Sequence, residues 1–418
     1  MAPRLPHLTT RLQGLGTSVF TEMTALAVRH GAANLAQGFP DFEYGPRPLR
    51  EAVKRGLDSN MNQYCRSSGL PSLVQAVAAH ERRFYGLEYD PMEEVTVTSG
   101  ATEAVFATVQ ALCEVGDEVL CFEPFYDSYR ASIRMAGAVP KYVKLRARPS
   151  AGAAAQLARA GGDRGGGAGF TFDPDELRRA VTDRTRLVLL NTPHNPTGKV
   201  FSHAELAHVA RLAEERDLIV VTDEVYEHLT YGGVAHVPIT AHFPALRDRC
   251  VRISSAGKTF GVTGWKVGTV CANRALSAAV RAAHQFVTFS TSTPMQHALA
   301  EQAYTLPDAF FANLRSDFER RRDLLCEGLA RAGLHVVGDA LPEGGYFAVV
   351  DAAAIGFPDD VAFTKMLPER VGVAAVPVSA FYDDAGDPAN RRHVRFAFCK
   401  SDETLAKALK QLERLRHL

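Results

Sequence analysis

The 418-residue sequence has few of the features that mark a secreted, zinc-binding or nucleic-acid-binding protein. Its seven cysteines are scattered, odd in number and never spaced as C-x-x-C, so we expect neither a disulfide framework nor a zinc site. Lysine plus arginine and aspartate plus glutamate both number 47, which leaves no basic surplus to bind a phosphate backbone. No apolar run reaches the length of a membrane span. We therefore expect no metal ion, nucleic acid or membrane among its partners.

The N-terminal segment lacks the hydrophobic core of a signal peptide. The unpaired pattern of cysteines favours a reducing compartment, so we expect a cytoplasmic location. The first 21 residues contain arginines and a histidine but no acidic residue, which a mitochondrial presequence would also show. A mitochondrial location therefore stays open.

The composition, with 46% hydrophobic and 22% charged residues, is typical of a globular enzyme of two or three domains. From about Glu94 to Ala272, short β-branched runs alternate with amphipathic segments, which indicates a parallel sheet with crossover helices. The predicted strands are "EVTVTSG", "EVLCFEP", "RLVLLN", "DLIVVTD", "RCVRISS" and "WKVGTVCA". One of the helices between them is predicted from Ser202, which has capping-box spacing with Glu205.

Two regions break this pattern. Residues 146–169 are rich in glycine and alanine, follow no strand and open no helix, so we interpret them as a flexible surface insertion. Beyond about residue 300, a long charged helix, the strands "GGYFAVVD" and "HVRFAFCK" and a closing helix predict a smaller α+β domain. We therefore divide the chain into an N-terminal arm at 1–45 that joins the small domain, a large α/β domain at 46–300, and a small C-terminal domain at 301–418.

Residues with useful chemistry follow four of the predicted strands, and ligands of an open parallel sheet bind at that carboxyl edge. The segment 100–102 begins a helix whose free N–H groups suit a phosphate. Asn195 lies in "NTPHNPTG", a loop stiffened by two X-Pro steps. Asp223, followed by Tyr226, ends an apolar strand and needs a cationic partner. Lys258 follows the next strand and adds an amine.

The stretch around Lys258, "RISSAGKTFGVTGWKVG", admits several chemistries. A nucleotide-binding P-loop would need a glycine where Arg252 stands, and a serine acyl enzyme would need S-D-N and K-T-G partners that do not occur. A lysine that holds a cofactor as an imine remains, beside an ordinary surface lysine. The amine, carboxylate, amide, phenol and phosphate cradle at the sheet edge match the needs of pyridoxal 5′-phosphate (PLP). The G-x-G-x-x-G of a nicotinamide enzyme is absent.

Nine motifs are spread over almost the whole chain: "NLAQGFPDF", "NQYCRSSGLPSL", "VTSGATEA", "GDEVLCFEPFYDSY", "NTPHNPTGKVF", "TDEVYEHL", "SSAGKTFGVTGWKVG", "FVTFSTSTPMQHALA" and "HVRFAFCK". In these motifs the sequence resembles the class I/II aminotransferases of PLP fold type I, and more narrowly the group of kynurenine aminotransferase, glutamine transaminase K and methionine aminotransferase. The resemblance spans about residues 10–418 without the glycine-rich insertion. It implies an α/β fold in which a large domain has a mostly parallel seven-stranded sheet and a smaller domain is α+β.

The resemblance also implies how individual residues bind the cofactor. Lys258 is the Schiff-base lysine, and Asp223 pairs with the pyridine nitrogen of PLP. Asn195 and Tyr226 bind the phenolic oxygen of the ring, and Tyr126 stacks on the ring. The implied phosphate site consists of Gly100, Ala101, Thr102, Ser255 and Lys266.

Three further residues are assigned by the same resemblance. Tyr64 matches a tyrosine that reaches the phosphate of the neighbouring subunit, which implies a homodimer with shared active sites. Arg395 matches the arginine that binds the substrate α-carboxylate, a bidentate task that suits a guanidinium. Gly38 lies in the arm that closes over that carboxylate. A departure from the family pattern occurs in "GGYF", where relatives usually have threonine at Gly345.

The implied activity is a ping-pong transamination between an L-amino acid and a 2-oxo acid, in which Lys258 acts as general base. Phe39, Tyr126 and Phe289 indicate an apolar or aromatic pocket, so methionine, glutamine, kynurenine and aromatic amino acids are the expected donors. Two alternatives stay open: a carbon–sulfur β-lyase of the cysteine-conjugate or cystathionine type, and an N-succinyldiaminopimelate-type aminotransferase. A regulatory, non-catalytic protein of this fold is disfavoured, because the roughly forty residues before Asp41 are too few for a DNA-binding helix-turn-helix.

Overall fold

A seven-stranded sheet forms the middle of the chain in the computed structural model, which describes residues 7–16, 18–148 and 169–417. The strands of the described residues are, in chain order, β1 (Ala33–Asn34), β2 (Val95–Thr98), β3 (Glu118–Glu123), β4 (Val139–Lys144), β5 (Arg146–Ala147), β6 (Phe170–Thr171), β7 (Thr185–Asn191), β8 (Ile219–Asp223), β9 (Cys250–Ser255), β10 (Gly268–Ala272), β11 (Phe347–Asp351), β12 (Val373–Ala374), β13 (Val376–Pro377) and β14 (His393–Ala397). The order in the large sheet is β2-β10-β9-β8-β7-β3-β4. Every residue of β2, β3, β8 and β10 is buried, as expected for a sheet covered on both faces.

Helices cover this sheet and build the rest of the molecule. Those of the described residues are α1 (Val19–His30), α2 (Arg47–Asp58), α3 (Pro71–Tyr85), α4 (Ala101–Leu112), α5 (Ser128–Met135), α6 (Pro174–Ala180), α7 (His203–Glu215), α8 (Ile239–His242), α9 (Ala256–Thr259), α10 (Arg274–Val287), α11 (Thr293–Ala298), α12 (Asp308–Arg331), α13 (Asp360–Met366) and α14 (Asp402–Leu412). The predicted capping box is confirmed at the start of α7, where both the Ser202 and the Glu205 bonds are present. Within the described ranges, no helix is long and apolar enough to cross a bilayer.

The mostly parallel sheet predicted from the sequence is confirmed, with one exception. Strand β10 runs antiparallel to both of its neighbours, β2 and β9, whereas the other pairs are parallel. The reason is that the chain returns from β9 through the short α9 segment instead of crossing the sheet, so β10 begins at the edge where β9 ends. Lys258 and Lys266 both lie in this return.

The C-terminal part of the chain forms a second, smaller layer. Its antiparallel sheet has the order β11-β14-β13, and α12 and α14 pack beside it. Strand β1 pairs in parallel with β12, which joins residues 33–34 to this C-terminal part. The α+β character predicted for this region is confirmed; the domain bounds at 45 and 300 stay a prediction.

The ends of the glycine-rich segment form a short ribbon. Strand β5 pairs antiparallel with β6, which brings residues 146–147 beside residues 170–171. Residues 149–168, which hold most of the predicted flexible insertion, lie outside the described residues.

A buried ion cluster lies beside strands β8 and β9. The guanidinium of Arg252 is 1% exposed and contacts Glu81, Glu224 and Glu227. The Nε–Glu224 distance is 3.0 Å, and His236 Nε2 lies 2.5 Å from the same carboxylate. Because one buried arginine contacts three carboxyl groups, we expect this cluster to be sensitive to any loss of the arginine.

Candidate active site

The segments at the carboxyl ends of β2, β7, β8 and β9 line a cavity of about 270 Å³, together with Lys266 before β10. Its lining includes every predicted site residue except Tyr64: Gly38, Gly100, Ala101, Thr102, Tyr126, Asn195, Asp223, Tyr226, Ser255, Lys258, Lys266 and Arg395. The cavity therefore lies where the rule for open parallel sheets predicts a ligand.

Lys258 lies in α9, directly after β9, and its side chain forms part of the cavity lining. Its Nζ donates a hydrogen bond to the main-chain oxygen of Gly38 at 3.0 Å. Burial lowers the pKa of the Lys258 amine to about 8, and the nearby cations Arg395 and Lys266 act in the same direction, against Cys399 and Asp223. An appreciable fraction of this amine is therefore neutral near physiological pH, as a nucleophile or a general base requires.

Asp223 ends β8, and hydrogen bonds hold both its side chain and its main chain. The Tyr129 hydroxyl donates to Oδ2 at 2.6 Å, and the main-chain N–H of Val225 donates to Oδ1 at 3.3 Å. The amide of Asn191 donates to the main-chain oxygen of Asp223 at 2.8 Å. Burial raises the pKa of the Asp223 carboxyl, and the Tyr129 bond opposes this effect. The buried carboxylate thus needs a cationic ligand beside it to remain charged.

Tyr129 and Asn191 were not among the predicted site residues. Tyr129 follows Tyr126 by three residues in "YDSY", and their ring centroids lie 5.7 Å apart. Asn191 accepts a hydrogen bond from the main-chain N–H of Asn195 at 2.7 Å, so it fixes the proline-rich loop to the end of β8. A polar residue at the last position of an apolar strand was the signal available for Asn191.

Arg395 lies on β14 and is fully buried. Its Nη1 donates to Oδ1 of Asn195 at 2.8 Å and its Nη2 to the main-chain oxygen of Ala36 at 2.9 Å. Its guanidinium carbon lies 3.9 Å from the ring centroid of Phe347. Its Nε has no partner among the described residues. Burial lowers the pKa of Arg395 to about 10, which still leaves it cationic near neutrality and in need of an anion.

The N-terminus of α4 has features that suit an anion. Gly100 has a φ of +82° and precedes the free N–H groups at the helix N-terminus. A side chain on Gly268 would come within 2.6 Å of the Gly100 main chain, so the two backbones approach as closely as glycine allows. Lys266, at a φ of +54°, brings its amine beside Gly100.

The family model described as "Aminotransferase class I and II" matches residues 31–412 of this chain. The chain belongs to this family. It is therefore a PLP-dependent transaminase, and the family implies an amino acid and a 2-oxo acid as its substrates.

Several relatives of this aminotransferase align over nearly their whole length. A probable N-succinyldiaminopimelate aminotransferase of Mycobacterium tuberculosis is 45% identical over 409 residues, which cover 96% of this chain and 97% of the relative. The methionine aminotransferase of Escherichia coli is 39% identical over 414 residues, 99% of each chain. The solved structure of an N-succinyldiaminopimelate aminotransferase from M. tuberculosis superposes with a TM-score of 0.89 at 44% identity, covering 98% of this chain and 100% of that one.

Two of the aromatic residues considered for this aminotransferase lie away from the cavity. Tyr64 is 80% exposed and contacts Phe289 edge to face, with ring centroids 5.1 Å apart. Neither residue lines the cavity, so the expectation that Phe289 forms part of the pocket is wrong for this chain's own site. Phe39 does line it, together with Phe20, which the sequence pattern did not indicate.

Proposed function

We propose that this aminotransferase binds PLP in the cavity through the residues predicted from the sequence, with Lys258 as its covalent carrier. The fit rests on chemistry already present: a glycine-lined anion cradle, a buried carboxylate and a buried amine of lowered pKa around one space. When bound, PLP supplies an aldehyde that links to amines and a protonated ring that accepts electrons.

The protein side chains divide the work of holding this cofactor. Asp223, kept in place by Tyr129, supplies the negative charge that keeps the ring nitrogen protonated. Asn195 and Tyr226 are the donors for the phenolic oxygen. The N-terminus of α4 would hold the phosphate together with Ser255 and Lys266, and Tyr126 would contact the ring.

Lys258 Nζ is the proposed proton carrier. Once free of the cofactor, Nζ would take up a proton from the substrate α-carbon and give it back on the same side of the cavity. The Gly38 carbonyl, 3.0 Å from Nζ, accepts a hydrogen bond from the amine and so links it to the arm that is proposed to cover the substrate. Arg395 binds the α-carboxylate through its guanidinium and so orients the α-hydrogen.

The side-chain pocket supports donors without a charged side chain. The cations that line the cavity are Lys258, Lys266 and Arg395, and each already has a role. Phe20 and Phe39 supply an apolar wall beside them. We therefore propose methionine, glutamine, kynurenine and aromatic amino acids as donors.

A second candidate donor is N-succinyldiaminopimelate. It is favoured by the 45% identity to the mycobacterial relative that carries this name. This substrate has two carboxylates besides the α-carboxylate assigned to Arg395, and they would need cationic partners from outside the described cavity lining.

We also propose a homodimer in which Tyr64 reaches the phosphate site of the partner subunit. Tyr64 is 80% and Phe286 is 87% exposed, and Val287 and Phe289 extend the same apolar patch at the end of α10. Such a contiguous apolar surface favours a protein interface.

The seven unpaired cysteines support the expected cytoplasmic location. We also retain the proposed domain bounds of 1–45, 46–300 and 301–418.

A panel of amino donors tests the proposal. The purified enzyme is mixed with each donor in the absence of a 2-oxo acid, and the loss of the absorbance band of bound cofactor is followed. Methionine, glutamine, kynurenine and phenylalanine are expected to react faster than N-succinyldiaminopimelate; the reverse order would establish the second candidate. Release of pyruvate and ammonia from a cysteine conjugate without an acceptor would indicate a β-lyase. Borohydride reduction and peptide mass mapping must place the cofactor on Lys258.

Subunit mixing tests the shared site. Tyr64→Ala and Lys258→Ala proteins are each expected to have little activity, and mixing them under exchange conditions should restore it, because one site per mixed dimer is then intact. No recovery in verified mixed dimers would contradict the role of Tyr64.

A further inference from the structure

Two tyrosine hydroxyls converge on the main-chain carbonyl of Lys258. The hydroxyl of Tyr44 donates to this oxygen at 2.5 Å and that of Tyr346 at 2.9 Å. The two hydroxyls are 2.7 Å from each other, so the three oxygens form a closed triangle. These donors lie 214 and 88 residues away from Lys258 in the chain.

The carbonyl has this environment because α9 is only four residues long. In a longer helix the oxygen of Lys258 would accept the N–H of Val262, but that N–H bonds to Gly257 instead. The phenols thus supply donors that the helix itself does not. Tyr44 can come this close because its neighbour Gly45 has no side chain. A Cβ atom at Gly45 would lie 2.5 Å from the main-chain oxygen of Phe260.

Both tyrosines belong to segments that also contact the substrate side of the cavity. Tyr44 follows the arm segment that carries Gly38, whose oxygen accepts the bond from Lys258 Nζ. Tyr346 immediately precedes Phe347, on whose ring the guanidinium of Arg395 lies. The ring of Tyr346 is also 5.6 Å from Lys258 Nζ, measured to its centroid.

We propose that Tyr44 and Tyr346 are positioning residues that hold the main chain of Lys258 in place and tie it to two segments on the substrate side of the cavity, the arm that carries Gly38 and the β11 segment that packs on Arg395. This inference rests on the proposed role of Lys258. A lysine whose side chain is alternately attached to the cofactor and free must keep its backbone fixed if its amine is to return to the same α-carbon. A carbonyl anchored from the arm and from the β11 segment gives that fixation, and it depends on both segments being in place.

The hydrogen count makes the two tyrosines partly redundant. The two hydroxyl groups have two protons for three oxygen–oxygen contacts: each hydroxyl with the Lys258 oxygen, and the hydroxyls with each other. After the loss of either hydroxyl, the other can therefore still donate to the carbonyl. Only the double variant leaves the Lys258 oxygen without a phenolic donor. The effect of Tyr44→Phe plus Tyr346→Phe is therefore expected to exceed the product of the two single effects.

Tyr231→Phe is a matched control. The Tyr231 hydroxyl is buried and donates to the main-chain oxygen of Gly345 at 2.7 Å, one residue before Tyr346. It therefore loses the same kind of bond in the same region, without any contact to Lys258. A merely structural role of Tyr44 and Tyr346 would make all these variants alike.

The experiment compares the wild-type holoenzyme, the two single variants, the double variant and Tyr231→Phe. We measure the rate of the donor half-reaction against pH, the affinity for PLP by fluorescence, and the thermal midpoint. Each single variant should slow the half-reaction about twofold to fivefold, and the double variant more than the product of both. In the double variant the acid limb of the pH profile should move to higher pH, by on the order of 0.5 pH unit. Water that enters near the Lys258 amine would reduce the desolvation that lowers the pKa of this amine. Arg395, Lys266, Asp223 and Cys399 also face this amine and are unchanged in every variant.

The outcomes separate this inference from the proposed function. A wild-type enzyme without PLP on Lys258 or without transamination would refute the proposed function. A competent wild type with a double variant that matches Tyr231→Phe in rate and pH profile would overturn the positioning role. If the double variant does not fold, the single variants decide: rates equal to wild type would overturn the inference, and slowing beyond Tyr231→Phe at equal thermal midpoint would support it.

Discussion

Arg395 and Asn195 are joined by a hydrogen bond of 2.8 Å from the guanidinium to the side-chain oxygen. The bond connects β14, in the C-terminal layer, with the loop that follows β7 in the large sheet. It places the group assigned to the substrate carboxylate in direct contact with a group assigned to the cofactor ring. With the roles proposed for the two residues, this bond would link substrate binding mechanically to the orientation of the cofactor ring.

Replacement of Arg395 by lysine should weaken substrate binding far more than cofactor binding. Lysine keeps the charge but loses the fork that contacts Asn195, Ala36 and the carboxylate together. We expect KM for donor and acceptor to rise about 10- to 100-fold, with the Kd for PLP little changed. Steady-state kinetics and a fluorescence titration measure both quantities. Arg391→Lys, which alters a pair with Asp359 outside the cavity, is the control; equal KM values in the two variants would contradict the assignment.

Replacement of Tyr129 by phenylalanine should slow the enzyme through Asp223. The lost hydrogen bond lowers the pKa of the Asp223 carboxyl in the wild type, so its removal raises that pKa further. The carboxylate is then protonated over a wider acidic range, and the rate should fall about tenfold, most strongly at low pH. The measurement is kcat against pH. In Tyr142→Phe, which loses a surface contact of 3.4 Å to Asp383, kcat should stay near wild type; a Tyr129 variant with the same profile would disprove the coupling.

The attachment of PLP to the stripped enzyme should depend on pH through Lys258. Only the neutral amine attacks an aldehyde, and the pKa of this amine is lowered to about 8. The association rate should therefore rise with pH and reach half of its plateau near pH 8. Stopped-flow absorbance follows the reaction, with Lys258→Ala as the blank. A rate that is constant between about pH 6.5 and pH 9 would show that the amine is not the titrating group.

Replacement of Arg252 by methionine should destabilise the fold. The change removes the one arginine that contacts the carboxylates of Glu81, Glu224 and Glu227. Loss of one partner from a buried ion cluster costs about 3–5 kcal/mol in the free energy of unfolding. Denaturant unfolding compares it with Arg178→Met, whose surface pair with Asp175 contributes less than about 1 kcal/mol. A loss for Arg252→Met no larger than for Arg178→Met would mean that the cluster is dispensable.

Much of this site could be predicted because its main residues follow strands that the sequence shows clearly. The apolar runs before Asn195, Asp223 and Lys258 predict neighbouring parallel strands, and parallel strands end at a common edge. The resemblance then supplied Arg395, which lies far along the chain on a different sheet. No local pattern would have brought it to this cavity.

The residues that were missed act through tertiary contacts. Tyr129 and Tyr346 look like ordinary core aromatics until the partners of their hydroxyls are known. Strand β4, "VPKYVK", was missed because its proline and two lysines are typical of a loop. They are tolerated here because β4 is an edge strand of the sheet. The antiparallel direction of β10 followed from the length of the return after β9, which the hydrophobic pattern does not encode.

The pairing of β1 with β12 constrains the order in which parts of the enzyme can fold during synthesis on the ribosome. The last strand of the seven-stranded sheet ends at Ala272, so the layer that carries Lys258 can assemble while the chain is still being made. The contact between Ala33 and Val373 must wait until Val373 has been synthesised. The N-terminal strand β1 is therefore without its β12 partner while the seven-stranded sheet is being synthesised.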